Sequence, residues 1–390
     1  MGAAAQQALP LPENGSGQDL PLPENGPRQV EGQGRPLILG LQPSALVDHV
    51  ARVDWSLLDQ IPGDRGGSKP VAIQDLEYIL NEVNAHLPDD TSPIRTMAGG
   101  SVANTIRGLS AGFGISCGLI GAYGDDEQGQ LFVRNMGFNG VDLSRLRMKR
   151  GHTAQCACLV DADGNRTMRP CLSNAVRLQP GELTNEDFRG SKWLAVRYAF
   201  NNLDLIDAAV GIAKKEGVFV SMDLASFEMV RDFRLPLLGL LESGNIDLCF
   251  ANEDEARELL RGQGETNADP EAALRFLGRH CQWAVVTLGP KGCVAKHGEQ
   301  VVRVPAIAEA KATDATGAGD LFAGGFLYGL VKGLSLEDCC KVGSCSGGAV
   351  VQSLGGEVRL ENWRWMYKQM KIKGLIVPDL HPVSSKPIMS

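Results

Sequence analysis

Short apolar runs alternate with segments of helical spacing along most of the chain. PLILGL (36–41), ISCGLIGAYG (115–124), KWLAVRY (192–198), VFVSMDL (218–224), IDLCFAN (246–252) and WAVVTLG (283–289) each read as a buried strand closed by turn residues. SVANTIRGLSAG (101–112), QGQLFVRNMGFNG (128–140), LDLIDAAVGIAKKEG (203–217) and EDEARELLRG (253–262) carry their apolar residues at helical spacing. Strands and helices in that alternation predict an α/β fold, a mostly parallel sheet covered on both faces. TAQCACLVDADGNRTMRP (153–170) and GCVAKHGEQVVRV (292–304) predict hairpins, the first turning at Asp163-Gly164. The early and middle hairpins do not suit that sheet. They predict a small β lid drawn from about 43–98 and 152–172.

The ends break the pattern. Residues 1–36 are rich in Pro, Gly, Gln and Asn and repeat LPLPENG at 9–15 and 20–26. Such a segment buries too little apolar surface to offset its ordering entropy, which predicts a disordered tail. A folded domain over 37–376 and a loose end over 377–390 complete the expected organisation. With 390 residues, 43% of them hydrophobic, the chain is long enough for one large core. A net charge of −8 argues against a nucleic-acid partner held by a broad basic surface. Ten cysteines without a CxxC pair, mostly in apolar runs, predict free thiols in a reducing compartment. No run of 18 apolar residues and no secretory pattern occur, so no membrane association is expected and the cytoplasm is the predicted location.

Four stretches carry candidate chemistry. In KATDATGAGDLFAGGFLYGL (311–330), glycines lead into a helix, where unpaired N–H groups and the helix dipole favour an anion. Gly317, Ala318 and Gly319 would form that cradle, with Asp320 at its rim as a proton acceptor. A plain strand-to-helix turn is the other reading. In MAGGSVANTIRGLSAGFG (97–114), Gly99 and Gly100 precede a helix and Asn104 lies one turn into it, able to bond a hydroxyl. Capping of that helix by Ser101 is the alternative. Asn252 and Glu255 can hold the water shell of Mg²⁺, or simply form a capping box. In VTLGPKG (286–292), Thr287 and Gly289 can meet a phosphate at the sheet's carboxyl edge, or belong to an ordinary turn. GxxxxGK[ST], HExxH and a dinucleotide fingerprint are all absent.

Together and in this order, these stretches resemble the ribokinase-like sugar kinases, the PfkB carbohydrate kinases, over roughly residues 36–360, with AGGSVAN and SALVD closer to the adenosine-kinase-like branch. The resemblance implies a ribokinase-like three-layer α/β/α fold with a small β lid. It implies an ATP-dependent phosphotransferase that uses Mg²⁺ and acts on a hydroxymethyl group of a sugar or nucleoside. Asp320 would be the base, and the amides of Gly317, Ala318 and Gly319 the anion hole. Asn252 and Glu255 would order Mg²⁺ through water. Thr287 and Gly289 would contact ATP, and 343–356 would border the adenine. Asp48, with Gly99, Gly100 and Asn104, would hold the acceptor. Asp314 and Thr316 match positions that take part in binding a monovalent cation such as K⁺. Gln42-Pro43-Ser44 departs from the Gly-Asn that members often carry before that aspartate. A catalytically inactive scaffold of the same fold is the alternative. Exposed lid edges would suit a homodimer.

Overall fold

A computed structural model describes residues 34–61, 63–86, 94–173, 175–261 and 269–378. The LPLPENG repeat and most of both predicted tails lie outside the described residues. Thirteen strands follow in chain order: β1 Ile38–Gln42, β2 Leu46–Arg52, β3 Arg95–Gly99, β4 Cys117–Gly124, β5 Leu146–Lys149, β6 Ala154–Val160 and β7 Arg166–Cys171. They continue with β8 Trp193–Arg197, β9 Phe219–Asp223, β10 Leu248–Asn252, β11 Trp283–Thr287, β12 Cys293–His297 and β13 Gln300–Val304.

Nine strands make one sheet in the order β13-β12-β11-β10-β9-β8-β1-β4-β5. Pairing is parallel from β11 through to β5 and antiparallel where β12 and β13 close the far edge. The two-residue period of a strand sorts β1 between two cores. Leu39 and Leu41 pack with Ala209, Val210, Leu259 and Leu274, from the helices Leu203–Lys215, Glu253–Leu260 and Pro270–Leu277. Ile38 packs with Ile106, Phe326 and Val342, from Ser101–Phe113, Ala318–Val331 and Leu336–Val350 on the other face. The result is three layers, α/β/α.

β2, β3, β6 and β7 form a separate sheet in the order β3-β2-β6-β7. The helix Ile73–His86 covers its outer face through Leu76, Ile79 and Val83, packed on Ala51, Ala157 and Leu159. The parallel pairing of β2 with β6 joins the antiparallel β2–β3 pair to the β6–β7 hairpin far along the chain.

Small residues set the close approaches that position the site. A Cβ on Gly40 would lie 2.5 Å from Ile106, so the Ser101–Phe113 helix rests directly on β1. A Cβ on Gly325 would lie 2.3 Å from Ser346 Oγ, which itself donates to Leu321 O at 2.7 Å. The FAGGF run thus seats Ala318–Val331 against Leu336–Val350. No helix among the described residues is long and apolar enough to cross a membrane.

Candidate active site

The sheet order reverses at β1, which lies between β8 on one side and β4 on the other. In open α/β sheets the crevice at such a reversal, at the carboxyl ends of the strands, is where ligands bind. Gln42 ends β1 and Arg197 ends β8 at this crevice. Arg197 pairs in register with Asp223 at the end of β9, and Asn252 pairs with Thr287 at the ends of β10 and β11. A pocket at this edge is lined by Ser101, Thr105, Arg197, Ser221, Asp223 and Asp320.

Asp320 enters the pocket from the first turn of Ala318–Val331. Gly317 is the N-cap, at φ +77°, a backbone state costly for most side chains, and its position leaves 2.9 Å between an added Cβ and Gly356 Cα. Among the described residues, the N–H groups of Gly317, Gly319 and Asp320 have no acceptor. That of Ala318 donates to Ala315 O at 3.2 Å and that of Leu321 to Gly317 O at 2.9 Å. A Cβ on Gly319 would meet nothing within 4 Å, so the turn is open to a ligand. Asp314 closes the loop: Oδ1 accepts from Thr316 N at 2.8 Å and Oδ2 from Gly355 N at 2.7 Å. Thr316 Oγ1 is buried without a hydrogen-bond partner.

A relay fixes the Asp320 carboxylate. Asn104 Nδ2 donates to Asp320 Oδ2 at 2.9 Å, and Arg107 Nη2 donates to Asn104 Oδ1 at 2.7 Å. Arg107 is buried and also donates to Ala98 O, Asn135 Oδ1 and Gly356 O. Burial lowers its pKa, while Glu357, Asp48 and Asp320 work against that shift. The Asn104 amide is therefore turned to a carboxylate of the protein itself, one turn from where Gly100 starts the helix.

Asp48 lies on the inner face of β2, 2% exposed, and Oδ1 accepts no hydrogen bond among the described residues. Burial pushes its pKa up to about 7, against the pull of the Arg107 guanidinium. Gly99 makes room for it, since a Cβ there would lie 2.0 Å from Asp48 Oδ2. Gly100, at φ +93°, leaves space for the Gln42 side chain, whose Oε1 accepts from Ala103 N at 2.8 Å and whose Nε2 donates to Gly99 O at 3.2 Å. Gln42, and not the expected Ser101, caps this helix, whose N-cap Gly100 has no side chain to do so. Ser101 Oγ instead accepts from Arg197.

Asn252 and Glu255 form a complete capping box. Asn252 Oδ1 accepts from the N–H of Asp254 and of Glu255, and the Glu255 carboxylate accepts from Asn252 N and Nδ2, both at 2.8 Å. Glu255 is buried, and its pKa is raised by that burial and then by the negative charge of Asp223. Thr287 Oγ1 lies 3.4 Å from Ala251 O, and Gly289 turns the chain at φ +56°. Arg197, Asp223 and Arg107 were not singled out in the sequence. The signal for the first two was available, as polar ends of consecutive predicted strands. Ala225, just past Asp223, is the only described non-glycine residue with left-handed φ, and its O accepts from Arg197 Nη2 while its N–H donates to Asp223 Oδ1. Such strain gathers at ligand sites.

Comparison with known proteins agrees with this geometry. Residues 73–363 match the pfkB family carbohydrate kinases. The crystal structure of adenosine kinase from Sinorhizobium meliloti superimposes with a TM-score of 0.76 at 30% identity, covering 85% of this chain and 98% of that one. The nucleoside kinase of Methanocaldococcus jannaschii is 26% identical over 74% of this chain and 91% of its own. The 5-dehydro-2-deoxygluconokinase of Bacillus subtilis is 28% identical over 70% and 86%. The fold is ribokinase-like, and the family match with the named kinase relatives marks the chain as a sugar or nucleoside kinase. The chain belongs to the pfkB family of carbohydrate kinases, enzymes that phosphorylate a sugar or nucleoside.

Proposed function

We propose that the chain transfers the γ-phosphoryl group of ATP to a hydroxymethyl group of a sugar or nucleoside, with Asp320 as the base. The observation that carries this reading is one helix start offering free N–H groups at Gly317 and Gly319 beside a fixed carboxylate. Phosphoryl transfer rests mostly on positioning and electrostatic stabilisation, and the two features divide that work. Asp320 accepts the proton of the acceptor hydroxyl. The glycine amides, with Ala318 between them, face the negative charge of the transferred group. Asn104 and Arg107 hold Asp320 in place.

Asp48 supports acceptor binding, because a buried carboxylate oxygen without a partner is satisfied by the hydroxyls of a vicinal diol. Gly99 and Gly100 shape that end of the site. The likeness to an adenosine kinase supports a nucleoside-type acceptor. Thr287 and Gly289 receive the nucleotide at the sheet edge, with 343–356 beside the base. The clustered carboxylates of Asp223 and Glu255 fit a divalent cation, and Asn252 and Glu255 hold its water shell. Bound at these residues, Mg²⁺ would supply neutralisation of phosphate charge. Asp314 and the unpartnered Thr316 hydroxyl fit a monovalent cation such as K⁺ behind the anion loop.

The test is ADP release by the purified chain with MgATP across a panel of sugars and nucleosides. One acceptor class is expected to turn over, and Asp320→Asn should lower kcat by about 10²–10⁴. A folded protein that phosphorylates nothing on the panel would favour a scaffold, and an Asp320→Asn enzyme of full activity would remove the base assignment.

A further inference from the structure

Three ligating side chains meet on the inner face of the small sheet. Parallel pairing sets Asp48 of β2 opposite Cys156 of β6, and the period of the strand returns Cys158 to the same face. One carboxylate oxygen and both sulfurs lie within 4.8 Å of one another, and all three residues are buried. No other group of three His, Cys, Asp or Glu side chains among the described residues is gathered this tightly. Asp48 Oδ1 has no hydrogen-bond partner, and Met97 shares the cluster with the two cysteines.

We propose that Asp48, Cys156 and Cys158 form a site for a thiophilic divalent cation of the zinc class, whose occupation excludes the acceptor. The exclusion rests on the reading of Asp48 as the acceptor-holding carboxylate; the metal site does not. Two sulfurs and one oxygen are a donor set that zinc takes. A tetrahedral ion with Zn–S of about 2.3 Å separates its sulfurs by about 3.8 Å, so ligands already within 4.8 Å need close by at most about 1 Å. Rotation about χ1 of two cysteines supplies such a movement.

Binding releases one proton from each thiol to solvent, breaks three of the hydrated ion's bonds to water, and forms two metal–sulfur bonds and one metal–oxygen bond. The assembly of M²⁺, two thiolates and one carboxylate carries a net charge of −1, and the Arg107 guanidinium already acts on Asp48. Three protein donors leave the fourth position to water. Magnesium does not compete, because a hard ion prefers oxygen to thiolate. Both oxygens of Asp48 are then withdrawn from, or crowded against, the space a diol would use. Because all three residues are buried, occupation requires the small sheet to move off the crevice.

The full-length protein should be titrated with Cd²⁺, following thiolate-to-cadmium charge-transfer absorption. Equilibrium dialysis against Zn²⁺ would give the stoichiometry. One ion per chain is expected, with the absorption lost in the Cys156→Ser/Cys158→Ser double variant. Because serine in an apolar cluster can itself disturb folding, Cys156→Ala/Cys158→Ala is made alongside, and each variant's melting curve is checked. Absence of the band in the wild type overturns the site, and so does an undiminished band in folded double variants, which assigns the signal to the eight other free cysteines. With a turned-over acceptor in hand, Zn²⁺ should raise its KM in the wild type and not in the alanine double variant. A metal bound with acceptor KM unmoved keeps the site and overturns its exclusion of the acceptor.

Discussion

Asp48 and Gly99 are adjacent in space because one of them lacks a side chain. Leu46 pairs in register with Gly99, and the Asp48 carboxylate leans back over the glycine. Gly99→Ala would place a methyl group 2.0 Å from Asp48 Oδ2 and force the carboxylate out of position. A hydrogen bond to a charged group contributes about 1.5–3 kcal/mol, so the KM for the acceptor should rise by roughly tenfold to a hundredfold. The KM for ATP should stay near the wild-type value. Steady-state kinetics in each substrate check this, and an unmoved acceptor KM would detach Asp48 from acceptor binding. The glycines and Asp48 were legible in the sequence because short motifs name them. Arg107 was not, since an arginine on a helix normally reads as a solvated face. Only the folded chain reveals that Asn104, Asn135 and two carbonyls surround it.

At the scale of elements, Asp126 joins the large sheet to the small one. It caps the helix Glu127–Phe138 by accepting from Gly129 N at 2.9 Å, and it accepts from Thr153 N at 2.8 Å and Thr153 Oγ1 at 2.6 Å, just before β6. Partial burial works against its charge, but these hydrogen bonds outweigh it and hold the pKa below the ordinary Asp value. A depressed pKa contributes stability that is present above the unfolded pKa and lost as pH falls through the folded one. Asp126→Asn should therefore lower stability at neutral pH by about 1 kcal/mol, the usual worth of a cap. The gap to wild type should narrow below about pH 4. Denaturant melts at neutral and acid pH test it, and a gap constant across that range would contradict the charge argument. The βα units themselves were legible, because each pairs a short apolar run with a helix-period segment. The β2–β6 pairing was not: their contact depends on a register that no local pattern encodes. Gln42, one residue before the Pro43-Ser44 that departs from the family pattern, uses its amide to cap the distant helix Ser101–Phe113.

Across the whole molecule, the small sheet and the anion loop meet at one point. The β6–β7 turn, organised by Asp161 Oδ1 accepting from Asp163 N and Asn165 N, brings Gly164 O to Ala315 N at 3.0 Å. From the other side, Val351 O accepts from Thr313 N and Asp314 N, and Gly355 N donates to Asp314. The loop that leads to Gly317 and Asp320 is thus held between the hairpin tip and the end of Leu336–Val350. A position of the small sheet that closes over the crevice also sets the anion loop, which joins enclosure of the site to its assembly. Gly164 is the contact: it sits at φ +82°, and a Cβ there would lie 3.0 Å from Thr313 O. Gly164→Val should push the tip off the loop and lower kcat about tenfold, with a stability cost of about 1–3 kcal/mol from the strained backbone. Gly164→Asn, whose side chain tolerates left-handed φ, separates the two effects. It should keep the stability and still lose part of kcat, because its Cβ meets the same carbonyl. If Gly164→Asn retains both stability and full kcat while Gly164→Val loses both, backbone strain alone accounts for the loss and the hairpin tip does not set the loop.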